Sequence, residues 1–214
     1  MFRNILLTII TFLFVSHSFA GEKIIVFDFS QKELENLKIK KIKGLTTYSV
    51  GSNDQGNYLK AEAEGKASGL GKEIKINLLK TPYLNITWKV EKNLSGIVEN
   101  SKKGHDYAAR VFVVKKTGAT ALSNRAISYV FSSNNSINEN WFSPYTKKSI
   151  DYVLSTTNED NNEWVTVKTN VKENFKKLHN LDVKEINGLA IMTDTDNSKL
   201  KAISYYQNIY FSSE

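Results

Sequence analysis

The chain of 214 residues contains no cysteine and only two prolines. Without thiols it can form neither disulfides nor thiolate metal sites, and thiol chemistry is excluded. Histidine is also scarce, because only His105 and His179 occur beyond the first twenty residues, and neither has a second histidine at ligand spacing. His105 stands beside Asp106 as a possible dyad, but no serine lies in a nucleophile-elbow context. The sequence therefore gives no reason to assign catalytic residues.

Long apolar runs are missing after residue 20. The run from Ile5 to Val15 is shorter than the ~20 residues that a membrane-spanning helix needs. Arg3 precedes this run, and Ser18-Phe19-Ala20 follows it as a small-x-small cleavage site. These features predict a signal peptide over residues 1–20, a periplasmic or secreted protein, and no transmembrane segment after cleavage.

The charge is moderately basic rather than concentrated. Lysine and arginine number 29 against 22 aspartates and glutamates, which gives a formal net charge of +7. The lysines are spread out, and we find no basic stripe interleaved with aromatic residues of the kind that nucleic-acid-binding proteins carry. We therefore predict no nucleic-acid partner and a solvated lysine-rich surface, with weak attraction to anionic polymers or envelope surfaces as the alternative.

Short alternating runs make up most of the remaining sequence. In Tyr58–Glu64 the apolar side chains alternate with charged ones, and the segment Tyr83–Val90 alternates in the same way around Trp88. About ten such strands, two short helices and no βαβ alternation predict a mainly β fold, an antiparallel jelly-roll β-sandwich with one or two short helices. We expect residues 21–214 to form this sandwich as a single domain.

Several local details of the pattern can be checked. A capping box from Ser30 to Glu33 predicts a helix over residues 31–38. The glycines of Ser68–Gly71 indicate a tight turn or bulge. Trp88 is expected in the core. In the last strand, alternation places four apolar side chains on one face: Ile203, Tyr205, Ile209 and Phe211.

The densest polar cluster follows the penultimate strand. Asp194, Asp196 and Asn197 offer hard oxygen donors within four residues, which is the chemistry that calcium prefers. The segment lacks the glycine and the distal glutamate of a calcium-loop motif. Three interpretations stay open: a calcium site, capping of backbone amides in a tight connection, and ligand binding without a metal. No other cofactor is indicated.

Arg110 is unusual because it lies within a strand and shares a face with Ala108, Phe112 and Val114. A buried arginine needs a carboxylate partner, and Asp194 or Glu62 could supply it. Such a pair would tie two sheets together, or the arginine would hold a carboxylate or sugar hydroxyls of a ligand.

Three tryptophans are candidates for stacking on sugars. Besides Trp88, Trp141 lies in a loop with Phe142 and Tyr145, where it is either an exposed sugar-binding residue or a hydrophobic plug. Trp164 begins a strand and is expected to be semi-buried.

The chain resembles an uncharacterised family of bacterial exported proteins, domain of unknown function 3047. Its most specific matching segment is Met192-Thr-Asp-Thr-Asp-Asn197, with Gln207-Asn208 as a departure where Gly-Asp is expected. Other matching segments are Tyr58–Ala63, Ala67–Leu70, Thr81–Leu84 with Trp88, Asp106–Arg110, Ser143–Tyr145, Ala202 and Tyr205-Tyr206. The resemblance implies a fold similar to galactose-binding-like and carbohydrate-binding-module jelly rolls, and it implies no activity.

These features predict an exported, non-catalytic binding domain for a glycan or another envelope component. The predicted binding surface, called the polar patch below, consists of Asp106, Arg110, Asp194, Asp196 and Asn197, edged by Tyr145 and Tyr205. One alternative is a structural or protein-partner domain without a small ligand. A second is a glycan-active enzyme that uses the carboxylates of Asp106 and Asp194.

Overall fold

A computed structural model describes residues 21–160 and 162–214, which form two stacked β-sheets with two short helices. The predicted signal peptide, residues 1–20, lies outside the described residues. The mainly β jelly-roll prediction is confirmed. The strands are β1 Lys23–Phe27, β2 Lys38–Lys43, β3 Thr47–Asn53, β4 Gly56–Glu64, β5 Ala67–Asn77, β6 Tyr83–Lys92, β7 Ala109–Lys115, β8 Arg125–Ser132, β9 Asn140–Ser143, β10 Thr146–Thr156, β11 Val165–Asn170, β12 Glu185–Asp194 and β13 Lys201–Ser212. The helices are α1 Gln31–Asn36 and α2 Val171–His179.

The strands form two sheets, and the chain passes from one sheet to the other several times. Sheet A has the order β11-β6-β13-β4-β3, with β1 also paired to β13, and sheet B has the order β2-β5-β12-β7-β8-β10-β9. The pairs are antiparallel except for β8 and β10, which run parallel. The consecutive strands β12 and β13 belong to different sheets. The turn between them, residues 195–200, is called the acidic turn below and crosses from one sheet to the other.

The core lies between the two sheets. Trp88 of β6 is fully buried against Phe131 of β8, with ring centroids 5.6 Å apart, and its Nε1 donates to Ser155 Oγ at 2.9 Å. The alternation in β4 also holds, because Leu59 and Ala61 are buried on its inner face. The prediction that Trp88 is a core residue is confirmed.

The last strand does not keep one face throughout. Ile209 and Phe211 are buried in the core, whereas Tyr205 points away from it. The pairing of β13 with β6 shifts register between Gln207 and Tyr210, and Asn208 within this bulge has a φ of 49°. An inserted residue moves all following side chains to the opposite face. The prediction that Tyr205 and Phe211 share a face is therefore wrong.

The glycines at Ser68–Gly71 do not form a turn, because they lie inside β5 between β2 and β12. A Cβ on Gly69 would come within 3.2 Å of the Ile191 carbonyl oxygen. The small residues here allow close approach of the neighbouring strand, a second reason for glycine within a strand.

The first helix forms with Ser30 as its N-cap, as predicted, but the reciprocal half of the capping box goes to residues before Ser30. Ser30 Oγ accepts from the Glu33 amide at 3.1 Å, while the Glu33 carboxylate accepts from the amides of Asp28 and Phe29. The helix ends at Asn36, shortly before the predicted end at residue 38, and the exposed strand β2 follows. Within residues 21–160 and 162–214, neither helix has the length and apolar character to cross a membrane.

Candidate functional site

Asp106 holds the acidic turn in place from the loop before β7. Its carboxylate accepts hydrogen bonds from the backbone amides of Asn197 and Ser198, at 3.1 and 2.5 Å, and from Asn197 Nδ2 at 2.9 Å. Asp106 is fully buried. Its carboxylate therefore caps the turn, one of the roles that the sequence left open for this region.

Arg110 and Asp194 form a buried ion pair. The distance from Arg110 Nη2 to Asp194 Oδ2 is 2.6 Å, and the two residues are 4% and 1% exposed. The guanidinium lies 5.2 Å from the Tyr107 ring centroid and 4.9 Å from that of Phe112. Of the two predicted partners, Asp194 and Glu62, Asp194 is the one that pairs with Arg110. The pair joins β7 to β12 within sheet B, however, and does not tie the two sheets together.

Burial has a larger effect on the pKa of Asp194 than the charge of Arg110 has. It raises the pKa of Asp194 to about 8, although the Arg110 charge acts in the opposite direction and the Asp106 charge adds to the rise. The pKa of Arg110 is also raised, because the nearby carboxylates of Asp194 and Asp151 outweigh the effect of burial on its charge. Arg110 therefore remains a cation, and Asp194 is the member of the pair that takes up or releases a proton.

The carboxylates of Asp106, Asp194 and Asp196 bring oxygen atoms within 4.8 Å of one another. Most of these oxygens already accept hydrogen bonds, since Asp106 binds backbone amides and Asp194 binds Arg110. Asn197, the third predicted metal ligand, turns its amide to Asp106 and the His105 carbonyl. Calcium takes six to eight oxygen ligands, and most of these carboxylate oxygens are already engaged. The predicted set of Asp194, Asp196 and Asn197 is therefore a poor calcium site. The contacts are instead those of a turn whose negative charge is balanced by Arg110.

His105 has a partner that the sequence did not indicate. Its Nε2 lies 2.8 Å from Asp151 Oδ2 in β10, so the dyad with the adjacent Asp106 is wrong. The His105 ring packs between those of Tyr107 and Tyr145, at centroid distances of 5.4 and 5.5 Å. Asp151 could not be found from the sequence, because nothing marks it out within its strand.

Tyr145 is the exposed edge of this region. It is 57% exposed, and its hydroxyl lies 2.7 Å from Asn197 Oδ1. Trp141, in contrast, packs with Tyr107, Val130 and Val153, which is the plug that the sequence allowed.

The structure brings six of the seven predicted binding residues together. Tyr145 is the one exposed side chain among these six, because the others are buried or half-buried. Tyr205 lies apart from them on the outer face of sheet A, so its predicted place at the edge of the polar patch is wrong. Tyr205 belongs to β13 of sheet A, whereas Arg110 and Asp194 belong to β7 and β12 of sheet B, and alternation does not encode this division into sheets. The six that converge are Asp106, Arg110, Tyr145, Asp194, Asp196 and Asn197.

Tyr205 belongs instead to an aromatic cluster on the outer face of sheet A, which consists of Tyr58, Trp164 and Tyr205. The ring centroids lie 5.6 to 6.0 Å apart, and all three side chains are half-buried. Tyr58 comes from β4, Tyr205 from β13, and Trp164 directly precedes β11. The three are distant in sequence. The sequence places Trp164 at the start of a strand and Tyr205 at the polar patch, and it does not indicate that they meet.

A glycine makes room for this cluster. A Cβ on Gly51 of β3 would lie 2.4 Å from Cζ of Tyr58, so the tyrosine ring lies directly over this glycine. Gly51 faces Tyr58 across the β3–β4 pair. The backbone of β3 thus forms the floor on which the Tyr58 ring rests.

Charged side chains surround the aromatic cluster. Lys89 Nζ lies 5.5 Å from the Tyr205 ring centroid, and the Tyr205 hydroxyl donates to Glu91 Oε2 at 2.5 Å. Burial and the Glu91 carboxylate raise the pKa of Tyr205. A depression of about 440 Å³ begins at Glu91 and extends past Lys92 to Leu200 and Lys201. This surface combines apolar ring faces with hydrogen-bonding groups, the composition of sites for small polar ligands.

Solved structures resemble the chain in fold alone. The family 30 carbohydrate-binding module of a cellulosomal cellulase from Clostridium thermocellum matches with a TM-score of 0.50 and 10% identity, over 90% of this chain and 98% of the module. A cellulase derived from Cel12A of Rhodothermus marinus matches with a TM-score of 0.48 and 6% identity, over 90% of this chain and all of that one. Among curated proteins, none matches the chain.

A family model described as "Protein of unknown function (DUF3047)" matches residues 32–210. This match includes the turn of the polar patch and all three residues of the aromatic cluster. It confirms the resemblance that the sequence motifs indicated. The chain therefore belongs to the DUF3047 family.

Proposed function

We propose that the protein is an exported glycan-binding domain without catalytic activity, and that the aromatic cluster of Tyr58, Trp164 and Tyr205 receives the sugar. The observation that carries this proposal is the set of three half-buried rings on the outer face of sheet A. The apolar face of a sugar ring fits an aromatic side chain, and its hydroxyls fit charged groups such as Lys89 and Glu91.

The fold supports a binding role. The solved module of similar fold carries carbohydrate-binding in its name, and at 10% identity that name suggests a ligand class without assigning it. Export rests on the predicted signal peptide of residues 1–20. Sequencing the N-terminus of the protein recovered from the cell envelope or the medium tests this part, with Gly21 as the expected first residue.

In this proposal the buried carboxylates of the polar patch do not contact the ligand. Asp106 is fully buried and Asp194 is 1% exposed, so a ligand cannot reach them without opening the turn. Cleavage by this pair of carboxylates is correspondingly disfavoured, because their oxygens already bind amides and Arg110. The exposed Tyr145 is the residue of this region that a ligand could contact, and it marks a second candidate surface.

A glycan array of the purified protein separates the glycan proposal from a purely structural or protein-partner role. We expect binding to a set of related glycans. Replacing Trp164 or Tyr58 by alanine should weaken binding by more than about 20-fold, the loss expected for a central aromatic contact of ~2 kcal/mol. Phe142→Ala is the matched control, since Phe142 is an exposed aromatic residue in sheet B. Binding that survives both cluster substitutions, or the absence of any binding, contradicts the proposal.

A further inference from the structure

A basic and apolar surface lies at one end of the sandwich, where the end of β2, the β4–β5 turn and the β12–β13 turn meet. Its six residues, called the basic tip below, are Ile42, Lys43, Leu45, Lys66, Lys199 and Leu200. All six side chains are exposed. None of them belongs to the aromatic cluster or the polar patch.

Backbone contacts bring the three segments together. Gly65 donates its amide to the Leu200 carbonyl at 3.3 Å, and Thr195 donates its amide to the Lys66 carbonyl at 2.9 Å. The Lys66 side chain packs over Gly44, since a Cβ there would be 3.0 Å from Lys66 Cγ. Residues far apart in sequence thus form one continuous surface.

The lysines of the basic tip have no carboxylate partner in the part of the chain that the structure describes. Within residues 21–160 and 162–214, no carboxylate lies within 4.0 Å of the ammonium groups of Lys43, Lys66 or Lys199. Lys43 lies so close to Lys199 that it lowers the pKa of Lys199, and the opposing charge of Asp196 does not cancel this effect. Crowded like charges of this kind are relieved by an anion.

Apolar side chains stand among these lysines. Ile42, Leu45 and Leu200 are 57%, 49% and 41% exposed. A surface that binds only soluble anions has no use for three large exposed aliphatic side chains, whereas a surface that enters a lipid headgroup region uses both kinds of residue. The combination of apolar tips and unpaired lysines therefore favours a membrane over a soluble polyanion.

We propose that the basic tip docks the domain on anionic phospholipid membranes, with Lys43, Lys66 and Lys199 on the headgroup phosphates and Ile42, Leu45 and Leu200 in the interface. Such docking is peripheral and reversible, and its six residues are distinct from the three rings proposed to receive the sugar. The net charge of +7 has the sign that attracts the domain to a negative surface.

Vesicle flotation tests this proposal. We expect the purified protein to float with vesicles of phosphatidylcholine mixed with phosphatidylglycerol, to stay free with phosphatidylcholine alone, and to dissociate at high salt. Replacing Lys43, Lys66 and Lys199 together by serine should reduce binding roughly 100-fold, because each lysine near an anionic surface contributes roughly fivefold. The matched control replaces three exposed lysines elsewhere, Lys32, Lys80 and Lys176, and should retain most of the binding.

A second variant separates lipid from other anions. Replacing Ile42, Leu45 and Leu200 by serine should abolish vesicle binding and leave binding to dextran sulfate unchanged. The proposal is overturned if the wild type ignores anionic vesicles, or if the control loses as much binding as the lysine variant. It is also overturned if the variant with Ile42, Leu45 and Leu200 replaced keeps its vesicle binding, because the surface would then recognise charge alone.

Discussion

The polar patch and the aromatic cluster lie on opposite outer faces of the sandwich and differ in how their side chains are used. In the polar patch, Asp106 and Asp194 are buried and bound to amides and Arg110. In the aromatic cluster, the rings of Tyr58, Trp164 and Tyr205 are half-buried and contact one another. The comparison teaches that the densest polar motif of this sequence stabilises the fold, while scattered aromatic residues form the surface suited to a ligand.

The largest effect is expected when the ion pair of the polar patch is broken. Arg110→Leu leaves Asp194 buried without its cation, and the free energy of unfolding should fall by about 3–5 kcal/mol at pH 9. The loss should be smaller at pH 6, where Asp194 can become neutral by taking up a proton. Urea denaturation at both pH values measures the two losses. Arg125→Leu, at a half-buried arginine without a carboxylate partner among the described ion pairs, is the control and should cost less than about 1 kcal/mol.

A smaller loss is expected when the acidic turn is loosened. Asp106→Asn removes the charge that receives the amides of Asn197 and Ser198, so stability should fall by about 2 kcal/mol. Glycan binding at the aromatic cluster should be unchanged, since among the described residues no hydrogen bond or ring contact joins the two regions. Denaturation and glycan titration of the same preparation measure both quantities. A variant that loses binding while keeping its stability would assign the ligand to the polar patch.

The pH dependence of stability sharpens the same contrast. The pKa of Asp194 is raised to about 8 in the folded protein from an ordinary value near 4 in the unfolded chain, so the folded state holds one more proton between these values. Stability contributed by this group is therefore present at low pH and is lost as pH rises towards 8, by up to about 1.4 kcal/mol per pH unit. Asp194→Asn should remove this component. An unchanged slope of unfolding free energy against pH would show that the Asp194 carboxyl does not take up the proton.

The smallest effect on stability is expected at the floor of the aromatic cluster. Gly51→Ala places a methyl group where the Tyr58 ring lies, and the mobile end of that side chain can move away. Stability should change by less than about 1 kcal/mol, whereas glycan affinity should fall several-fold because Tyr58 is displaced. Melting temperature and glycan titration measure the two effects. Ser49→Ala, in the same strand as Gly51, is the control. Gly56→Ala cannot serve, because the φ of Gly56 is 114° and an alanine there would be strained.

Much of the fold could be predicted from the sequence, because alternation and capping are local signals. The inner face of β4, the core position of Trp88 and the cap of α1 all follow from such signals. Strand β2 could not be found in this way, since all of its residues are exposed and it has no alternation to detect.

The site was only partly predictable, for a different reason. The partnership of Arg110 with Asp194 follows from the cost of burying an unpaired charge, and the sequence offered few partners. The bulge at Asn208 places Tyr205 and Phe211 on opposite faces of β13, and no local pattern reveals an extra residue in a strand. The pairing of His105 with Asp151 and the meeting of Tyr58 with Trp164 depend on sheet order, which the alternation does not encode.

The most direct test is a parallel titration of Trp164→Ala and Asp106→Asn with a glycan that the wild type binds. We predict that Trp164→Ala loses more than about 20-fold in affinity and less unfolding free energy than Asp106→Asn does. Asp106→Asn should show the converse, with wild-type affinity and reduced stability. Full affinity in Trp164→Ala together with lost affinity in a stably folded Asp106→Asn would contradict the assignment of binding to one face and folding to the other.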